Sequence, residues 1–270
     1  MASMSTSLHL ILGAGVVGEA VADELARRQL PHLRASRHAP ATAVPHRRVD
    51  ALDLDSLRAG TADASHVYLT LGLPYAARVW ARDWPRVAEN LLQAARENGF
   101  RLVMLDNIYA YGPAPLQVPM REDHPQQPPS HKGRVRHAVG ERLLRAAREE
   151  GLPVVIGRSA DFYGPGVRQS ILYAAAIERQ LQGKAAQWLA DPDCRHSYTY
   201  TPDAGRALVT LALDEGAYGR AWHLPTAEPA PTSRELLMLS AGLLGAPARV
   251  QVLPRPMLWL LQWAVPILRE

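Results

Sequence analysis

The stretch LHLILGAGVVGEAVADELARR near the start of the chain constrains the fold more than any other feature. An apolar run comes first, three glycines follow within six residues, and apolar residues then recur at helical spacing. Such glycines permit a tight turn and let the backbone approach a pyrophosphate, which binds the N–H groups at the helix start. The stretch predicts a dinucleotide-binding βαβ unit, with a purely structural turn as the alternative. The expected cofactor contacts are Gly13, Gly15, Val16, Val17 and Gly18.

Strands and helices alternate along the first part of the chain. Strands are predicted at HLRAS, RRVDALD, SHVYLTLG, FRLVMLDN and LPVVIGRS, and long helices over residues 84–98 and 135–150. This alternation predicts an α/β fold with a doubly wound parallel sheet. After residue 166 the pattern changes to helices over 170–182, 203–213 and 233–242, with short strand-like pieces between them. We therefore expect a nucleotide-binding domain over 1–166 and a smaller substrate lobe over 167–270, partly interleaved with it.

Composition excludes several classes of function. The net charge is +4 and the cationic residues are scattered, which does not favour nucleic-acid binding. The single cysteine, Cys194, excludes an internal disulfide, suits a reducing compartment and lies at no metal-ligand spacing, so no metal is expected. No signal peptide is evident, and the apolar end of the chain is short and interrupted by proline, so no membrane partner is expected. We expect a cytoplasmic protein that acts on a small molecule.

The end of the second strand bears on the choice of cofactor. An acidic residue there holds the ribose of NAD, whereas arginine accommodates the 2′-phosphate of NADP. Here Ser36 and Arg37 occur with no acid, which favours NADP over NAD, with Arg34 as an alternative phosphate partner. Asp53 is placed either to accept a hydrogen bond from the adenine amine or to cap a helix. The cofactor is also expected to pass Leu71 and Gly72, after the fourth strand.

Four segments together resemble a known superfamily. They are GAGVVG, DNIYAYG, GRSADFYGPG and HSYTYTPDAGRALV, which span nearly the whole chain. The chain resembles the extended short-chain dehydrogenases/reductases, the NAD(P)-dependent sugar-nucleotide epimerases and dehydratases, and within them an atypical, epimerase-like bacterial subgroup. The resemblance implies a Rossmann fold with a small C-terminal substrate lobe. It also implies a catalytic Ser and a Tyr-x-x-x-Lys pair.

At the positions of that catalytic triad this chain has other residues. KGRVR places Lys132 and Arg136 where the superfamily has Tyr and Lys, and Asn107 stands at the position of the Ser. Lys132 is one of two lysines among 30 cationic residues. We expect Lys132 to act as an acid/base, because like charge and partial desolvation favour release of its proton. Arg136 is expected to hold the nicotinamide ribose as a permanent cation, and Tyr109 is the competing proton donor.

Three further residues are candidates for contact with substrate. Arg158 ends a predicted strand, with a structural ion pair as the alternative, and His196 and Tyr198 are expected to line the substrate cleft. The leading hypothesis is an NAD(P)-dependent oxidoreductase or epimerase-like enzyme acting on a small carbonyl or hydroxyl compound, including a sugar nucleotide or a hydrophobic one. A catalytically silent NADP-binding sensor is the alternative. The apolar C-terminal helix, with Leu258, Leu261, Trp263 and Ile267, predicts a homodimer.

Overall fold

The computed structural model describes residues 7–38, 44–189 and 191–253. Its strands are, in chain order, β1 (Leu8–Leu12), β2 (His32–Ser36), β3 (His46–Arg48), β4 (Ala64–Leu69), β5 (Arg101–Asn107), β6 (Val154–Ser159), β7 (Asp161–Tyr163), β8 (Ala186–Trp188), β9 (Tyr198–Tyr200), β10 (Ala221–His223) and β11 (Val250–Val252). Its α-helices are α1 (Val16–Arg27), α2 (Leu54–Thr61), α3 (Ala77–Asn98), α4 (His131–Glu150), α5 (Glu178–Leu181), α6 (Thr201–Leu213) and α7 (Ser233–Leu244).

Seven of these strands form one parallel sheet in the order β10-β6-β5-β4-β1-β2-β3. The chain starts in the middle of the sheet, extends to one edge through β2 and β3, and then crosses to β4 on the other side of β1. The strand order therefore reverses between β1 and β4. Ligands of open α/β sheets bind at such a reversal, beyond the carboxyl ends of the strands.

The described residues divide into two compact units. The first comprises residues up to Ser159 together with Pro202–Leu224, and the second comprises Ala160–Thr201 and the residues from Pro225 onwards. The first unit contains the seven-stranded sheet. The predicted parallel, doubly wound sheet is thus confirmed, and β10, from late in the chain, completes it.

Alternate residues of the central strands form the main core. Leu10, Val67, Leu102 and Val154 are completely buried on β1, β4, β5 and β6 and pack in one cluster with residues of α2, α3 and α4. Strands covered by helices in this way have long apolar runs, which is why LHLIL and LVML show little alternation. The core holds the carboxyl ends of the strands, and therefore the loops that follow them, in fixed positions.

The second unit has two parallel strand pairs, β8 with β11 and β7 with β9. A small apolar cluster forms its core, in which Trp188 and Leu237 are buried. The helix predicted over residues 170–182 is a π-helical segment, Tyr173–Ile177, followed by the short helix α5.

Several element boundaries differ from the sequence-based expectation. Helix α3 begins at Ala77 and not at residue 84, because Trp80 and Trp84 both bury their rings and the helix continues through Pro85. Helix α4 begins at His131 and not at residue 135, because the Ser130 hydroxyl accepts a hydrogen bond from the N–H of Gly133 and caps the helix there. Helix α2 was predicted only through the alternative in which Asp53 caps a helix.

Three expectations from the sequence concern the C-terminal segment, membrane-spanning helices and metal ligands. The C-terminal residues expected to form a dimer interface (Leu258, Leu261, Trp263 and Ile267) lie outside the described residues. Among the helices of the described residues, none is long and apolar enough to cross a membrane. Within the same ranges, no three histidine, cysteine or acidic side chains lie close enough together to bind a metal ion.

Candidate active site

A cavity of about 420 Å³ opens at the reversal of strand order. The ends of β1, β2 and β4 and the loops after them supply its walls. Six of the predicted cofactor-binding residues line it, namely Gly13, Gly15, Ser36, Arg37, Leu71 and Gly72. Val16 and Val17 instead form the first turn of α1, where Val17 is buried. The strand–glycine turn–helix segment therefore lies in the place where a nucleotide would bind.

The glycine turn leaves room for a pyrophosphate at the start of α1. A Cβ atom on Gly15 would meet nothing within 4 Å, so the backbone there is open. A Cβ on Gly18 would lie 2.3 Å from the carbonyl oxygen of Gly13, so only glycine lets the helix approach the turn this closely. Among the described residues no side chain caps the first turn of α1. These N–H groups remain available to an anion, so the residues fit the diphosphate of a dinucleotide.

A second cavity, of about 430 Å³, adjoins the end of β2 and is rich in basic groups. Arg37, His38 and Arg48 line it together with Asp50, Asp53 and Ser56. Arg37, His38 and Asp50 also line the first cavity, so the two cavities adjoin at these residues. Arg48 ends β3, directly beside Ser36 in the register of the sheet, and was not identified from the sequence.

Ser36 and Arg34 have partners within the protein. The Ser36 hydroxyl donates to the carbonyl oxygen of His38 at 2.6 Å and lies 2.8 Å from Nε2 of His46. Arg34, the alternative phosphate partner, forms an ion pair with Glu19 on α1. The guanidinium of Arg34 is thus occupied by a carboxylate, whereas Arg37 and Arg48 face the cavity.

Asp53 caps helix α2. Its carboxylate accepts a hydrogen bond from the N–H of Ser56 at 2.9 Å, which is the capping role considered from the sequence. Asp50 lines both cavities, and the following residues Ala51 and Leu52 line the first. The carboxylate of Asp50 accepts a hydrogen bond of 2.9 Å from the N–H of Leu52, and unlike Asp53 it reaches the first cavity. The strand-end rule would have identified it, since it follows β3 by two residues.

The KGRVR segment forms the first turns of α4. A Cβ on Gly133 would lie 2.5 Å from the carbonyl oxygen of Tyr109 and 2.7 Å from Cβ of Pro128. Glycine at this position therefore lets the helix start pack directly against the turn that follows β5. This contact brings Lys132 of the helix and Tyr109 of the turn to the same edge of the sheet.

Lys132 is buried beneath an aromatic ring. The side chain is only 3% exposed, and its Nζ lies 3.4 Å from the ring centroid of Tyr75, in the loop after β4. The Tyr75 hydroxyl donates a hydrogen bond of 3.3 Å to the hydroxyl of Tyr109, while Tyr75 itself is 43% exposed. Trp80 stacks against Tyr109 with ring centroids 6.4 Å apart. Two of the predicted catalytic residues, Lys132 and Tyr109, therefore meet around Tyr75, which the sequence did not single out.

Arg136 and Arg158 share one buried carboxylate. Nε of Arg136 lies 2.6 Å from Oδ1 of Asp106, and Nε of Arg158 lies 3.4 Å from Oδ2 of the same residue. All three side chains are buried, and the guanidinium of Arg136 lies 4.2 Å from the ring centroid of Trp84. Arg158 also donates to the amide oxygen of Gln126 at 3.0 Å. Arg158 thus forms the structural ion pair that was its alternative to substrate contact.

The same geometry bears on the expected role of Arg136. A guanidinium held between Asp106 and Trp84 is engaged within the protein, so a contact with the nicotinamide ribose stays a prediction.

Asn107 also has a structural function, because its side-chain oxygen accepts a hydrogen bond of 3.1 Å from the N–H of Tyr109. This bond fixes the short 3₁₀ turn Ile108–Ala110 and with it the position of Tyr109.

The remaining substrate candidates belong to the second unit. His196 Nε2 lies 3.0 Å from Oδ2 of Asp161, and its ring lies 4.5 Å from that of Tyr198. Tyr198 is buried in the core of this unit, and burial raises the pKa of its hydroxyl. The proposed substrate contacts of both residues stay predictions.

A parallel α/β sheet with a cavity at its reversal of strand order is typical of nucleotide-binding proteins. The NAD dependent epimerase/dehydratase family matches residues 9–224. The chain belongs to this family, and it is therefore an NAD(P)-dependent enzyme of the oxidoreductase/epimerase type that uses a nicotinamide cofactor.

Individual relatives agree with this placement. The dTDP-6-deoxy-L-talose 4-dehydrogenase (NAD(P)(+)) of Kitasatospora kifunensis is 25% identical over 260 residues, which are 90% of this chain and 81% of the relative. The UDP-N-acetylglucosamine 4-epimerase of Bacillus cereus superposes with a TM-score of 0.79 at 18% identity, covering 92% of this chain and 85% of that chain. The UDP-glucose 4-epimerase of Thermus thermophilus, solved in complex with NAD, gives 0.75 at 23% identity, covering 92% and 87%.

Proposed function

We propose that this enzyme is an NADP(H)-dependent oxidoreductase that interconverts a secondary alcohol and a ketone. The single observation that carries the proposal is the cluster of Lys132, Tyr75 and Tyr109 at the loop after β4, the first residues of which line the cavity. The cluster combines a cation with two hydroxyl groups, and such groups can transfer a proton to and from an alcohol oxygen by general acid–base catalysis.

Tyr109 is the group that exchanges this proton with the substrate oxygen. Its hydroxyl accepts a hydrogen bond from that of Tyr75, so the two phenol groups form a chain along which a proton can pass. When bound, the nicotinamide supplies the hydride that adds to the carbonyl carbon. Asn107 fixes the backbone of Tyr109, and Trp80 supports its ring, so the hydroxyl is held in position before the reaction.

Alcohol oxidation and ketone reduction suit this site better than dehydration. Removal of water from a sugar needs a further acid and base acting on neighbouring carbons. Asp106 is the carboxylate closest in sequence to the cluster, and two arginines enclose it in the protein interior. Asp106 is thus engaged within the protein and lines neither of the two cavities.

The substrate class follows from a relative. The Kitasatospora enzyme is named as a dehydrogenase of dTDP-6-deoxy-L-talose at C4, and its resemblance covers most of both chains. We therefore propose a deoxysugar joined to a nucleoside diphosphate as the first substrate class, ahead of a simple carbonyl compound.

The preference for NADP rests on the second cavity. Arg37 and Arg48 bring two guanidinium groups to a cavity that adjoins the cofactor cavity, and Arg37 and His38 line both. Arginine pairs with phosphate through two parallel hydrogen bonds, which favours the 2′-phosphate form. The chain offers Ser36 and no carboxylate at the end of β2 for the free 2′-hydroxyl of NAD.

The proposal is tested by following nicotinamide absorbance with dTDP-6-deoxy-L-talose and NADP⁺, and in the reverse direction with NADPH and a panel of simple ketones. We expect turnover of the nucleotide sugar, faster with NADP⁺ than with NAD⁺ at equal subsaturating concentration. Tight NADPH binding with no turnover of either class would favour the sensor alternative.

A further inference from the structure

We propose that Tyr75 is a proton-relay residue and that Lys132 acts through it, as a fixed cation beneath its ring. This inference rests on the proposed oxidoreductase function and adds a residue to it. Lys132 is nearly inaccessible, whereas Tyr75, which covers it, is 43% exposed. The geometry therefore separates the charge, which lies inside, from the hydroxyl groups, which substrate and solvent can reach.

The proton path follows from the hydrogen bond between the two tyrosines. During ketone reduction the Tyr109 O–H bond breaks as its proton passes to the substrate oxygen, which has gained a pair of electrons from hydride addition. The Tyr75 O–H bond then breaks, and its proton passes along the 3.3 Å bond to the oxygen of Tyr109. Water at the exposed Tyr75 returns the proton. In alcohol oxidation each transfer runs in the opposite direction.

Lys132 stabilises the intermediate charge on this path. A cation over the face of an aromatic ring is attracted by the ring's negative face, and the attraction grows when the ring gains negative charge. The Lys132 Nζ atom lies 3.4 Å from the ring centroid of Tyr75 and 5.9 Å from that of Trp80. Burial of Lys132 keeps the local dielectric low, which strengthens the interaction. Lys132 is thus a positioning and electrostatic residue.

The relay explains why a lysine stands at the start of α4. Helix α4 can begin close to the turn after β5 because of Gly133, and the residue before that glycine lies beneath the loop after β4. The positive charge of Lys132 therefore lies close to the rings of both Tyr75 and Trp80. The loop that carries Tyr75 also supplies Leu71, Gly72 and Leu73 to the cofactor cavity, so the relay starts next to the cofactor.

The first test needs no substrate. Tetranitromethane nitrates tyrosine through its ionised form, and peptide mass spectrometry gives the rate at each tyrosine. We expect Lys132→Met to slow nitration of Tyr75 by roughly fivefold or more, since a cation at about 4 Å is worth about that factor even in water. Lys132→Arg keeps the charge and should keep the rate, while Tyr200 serves as the internal reference. Equal rates at Tyr75 in wild type and Lys132→Met would overturn the inference.

The second test uses turnover with the nucleotide sugar or the most active ketone. Tyr75→Phe keeps the ring over Lys132 and removes only the hydroxyl, so NADPH affinity should hold while kcat falls by roughly 10- to 100-fold. A proton inventory in H₂O/D₂O mixtures should be curved for wild type, since two protons move, and linear for Tyr75→Phe. Tyr218→Phe loses a distant hydrogen bond to Ala212 and is the matched control.

The outcomes separate this inference from the proposed function. Absence of any NADPH turnover in wild type contradicts the proposed function, and the nitration rates still decide whether Lys132 acts on Tyr75. Full kcat in Tyr75→Phe contradicts the relay alone.

Discussion

Arg136 and Asp106 form an ion pair inside the protein, with Nε 2.6 Å from Oδ1 and both side chains almost completely buried. Asp106 is the penultimate residue of β5 and lies opposite the second arginine, Arg158, on β6, so one carboxylate balances two guanidinium groups. A cation–π contact with the ring of Trp84 stabilises the positive charge of Arg136 that the shared carboxylate does not balance. This pair joins α4 to β5 directly beneath the lysine–tyrosine cluster, and it thereby fixes the geometry of the site.

Breaking that pair should unfold the protein more readily. Arg136→Met leaves Asp106 with the weaker contact to Arg158, and removal of one partner of a buried pair costs about 3–5 kcal/mol. Urea denaturation measures the loss. Arg142→Met is the control, because its ion pair with Glu89 is solvent-exposed and worth less than about 1 kcal/mol. Equal losses of unfolding free energy in the two variants would show that the buried pair contributes no more to stability than the pair of Arg142 with Glu89.

The sequence predicted the parts of the fold that local patterns determine. Gly13, Gly15 and Gly18 follow an apolar strand at fixed spacing, and such a pattern allows few structures other than the turn observed. The apolar runs of β4, β5 and β6 likewise indicated buried parallel strands. Helix starts were less well predicted, since Pro85 resembles a first helical residue and only packing of Trp80 extends α3 towards the N-terminus.

The site was only partly predictable because its contacts join distant segments. Tyr75 lies in an ordinary loop sequence, and its relation to Lys132 exists only once α4 packs under the β4 loop. Arg48 similarly gains its place beside Ser36 through the pairing of β3 with β2. The sequence placed Arg136 by its likeness to a motif, whereas Asp106, its partner, carried no signal of its own.

The second cavity predicts the cofactor preference. Arg48→Ala removes a guanidinium from the proposed 2′-phosphate site, so NADPH affinity should fall about 10- to 100-fold, the value of one charge-assisted hydrogen bond, with NADH affinity unchanged. Calorimetry measures both affinities. Arg34→Ala tests the alternative, and we expect little change because Arg34 is paired with Glu19. A selective NADPH loss in Arg34→Ala but not in Arg48→Ala would reverse the assignment.

Acid should destabilise the protein through His9. Burial, followed by the charges of His66 and His32, lowers the pKa of His9 from 6.5 to about 4. The unfolded chain therefore takes up a proton that the folded chain resists, and stability is lost as pH falls from 6.5 towards 4. After allowance for partial solvent screening, the loss amounts to about 2 kcal/mol.

Urea denaturation at several pH values measures this dependence. His9→Gln should flatten the curve between pH 6.5 and 4, although His66, whose pKa burial also lowers, leaves a residual slope. The exposed His38 is the control position, and His38→Gln should leave the slope as it is. An unchanged slope in His9→Gln would assign the acid sensitivity to other groups.

Gly133 should tolerate no side chain. A Cβ there would lie 2.5 Å from the carbonyl oxygen of Tyr109, so Gly133→Ala forces α4 and the Tyr109 turn apart and costs about 1–3 kcal/mol. Thermal unfolding measures the change. In Gly242→Ala, on α7, the new Cβ would meet nothing within 4 Å, and better helix propensity should stabilise the protein by up to about 1 kcal/mol. Stabilisation by both substitutions would contradict the packing described for α4.

The central claim is that Tyr109 exchanges a proton with the substrate oxygen in an NADP(H)-dependent oxidation or reduction. The most direct measurement is kcat of Tyr109→Phe with saturating cofactor, since phenylalanine keeps the stacking on Trp80 and removes only the hydroxyl. Positioned acid–base catalysis is worth about 10²–10⁴-fold, so kcat should fall by that factor with NADPH affinity unchanged. Turnover equal to that of wild type would contradict the account.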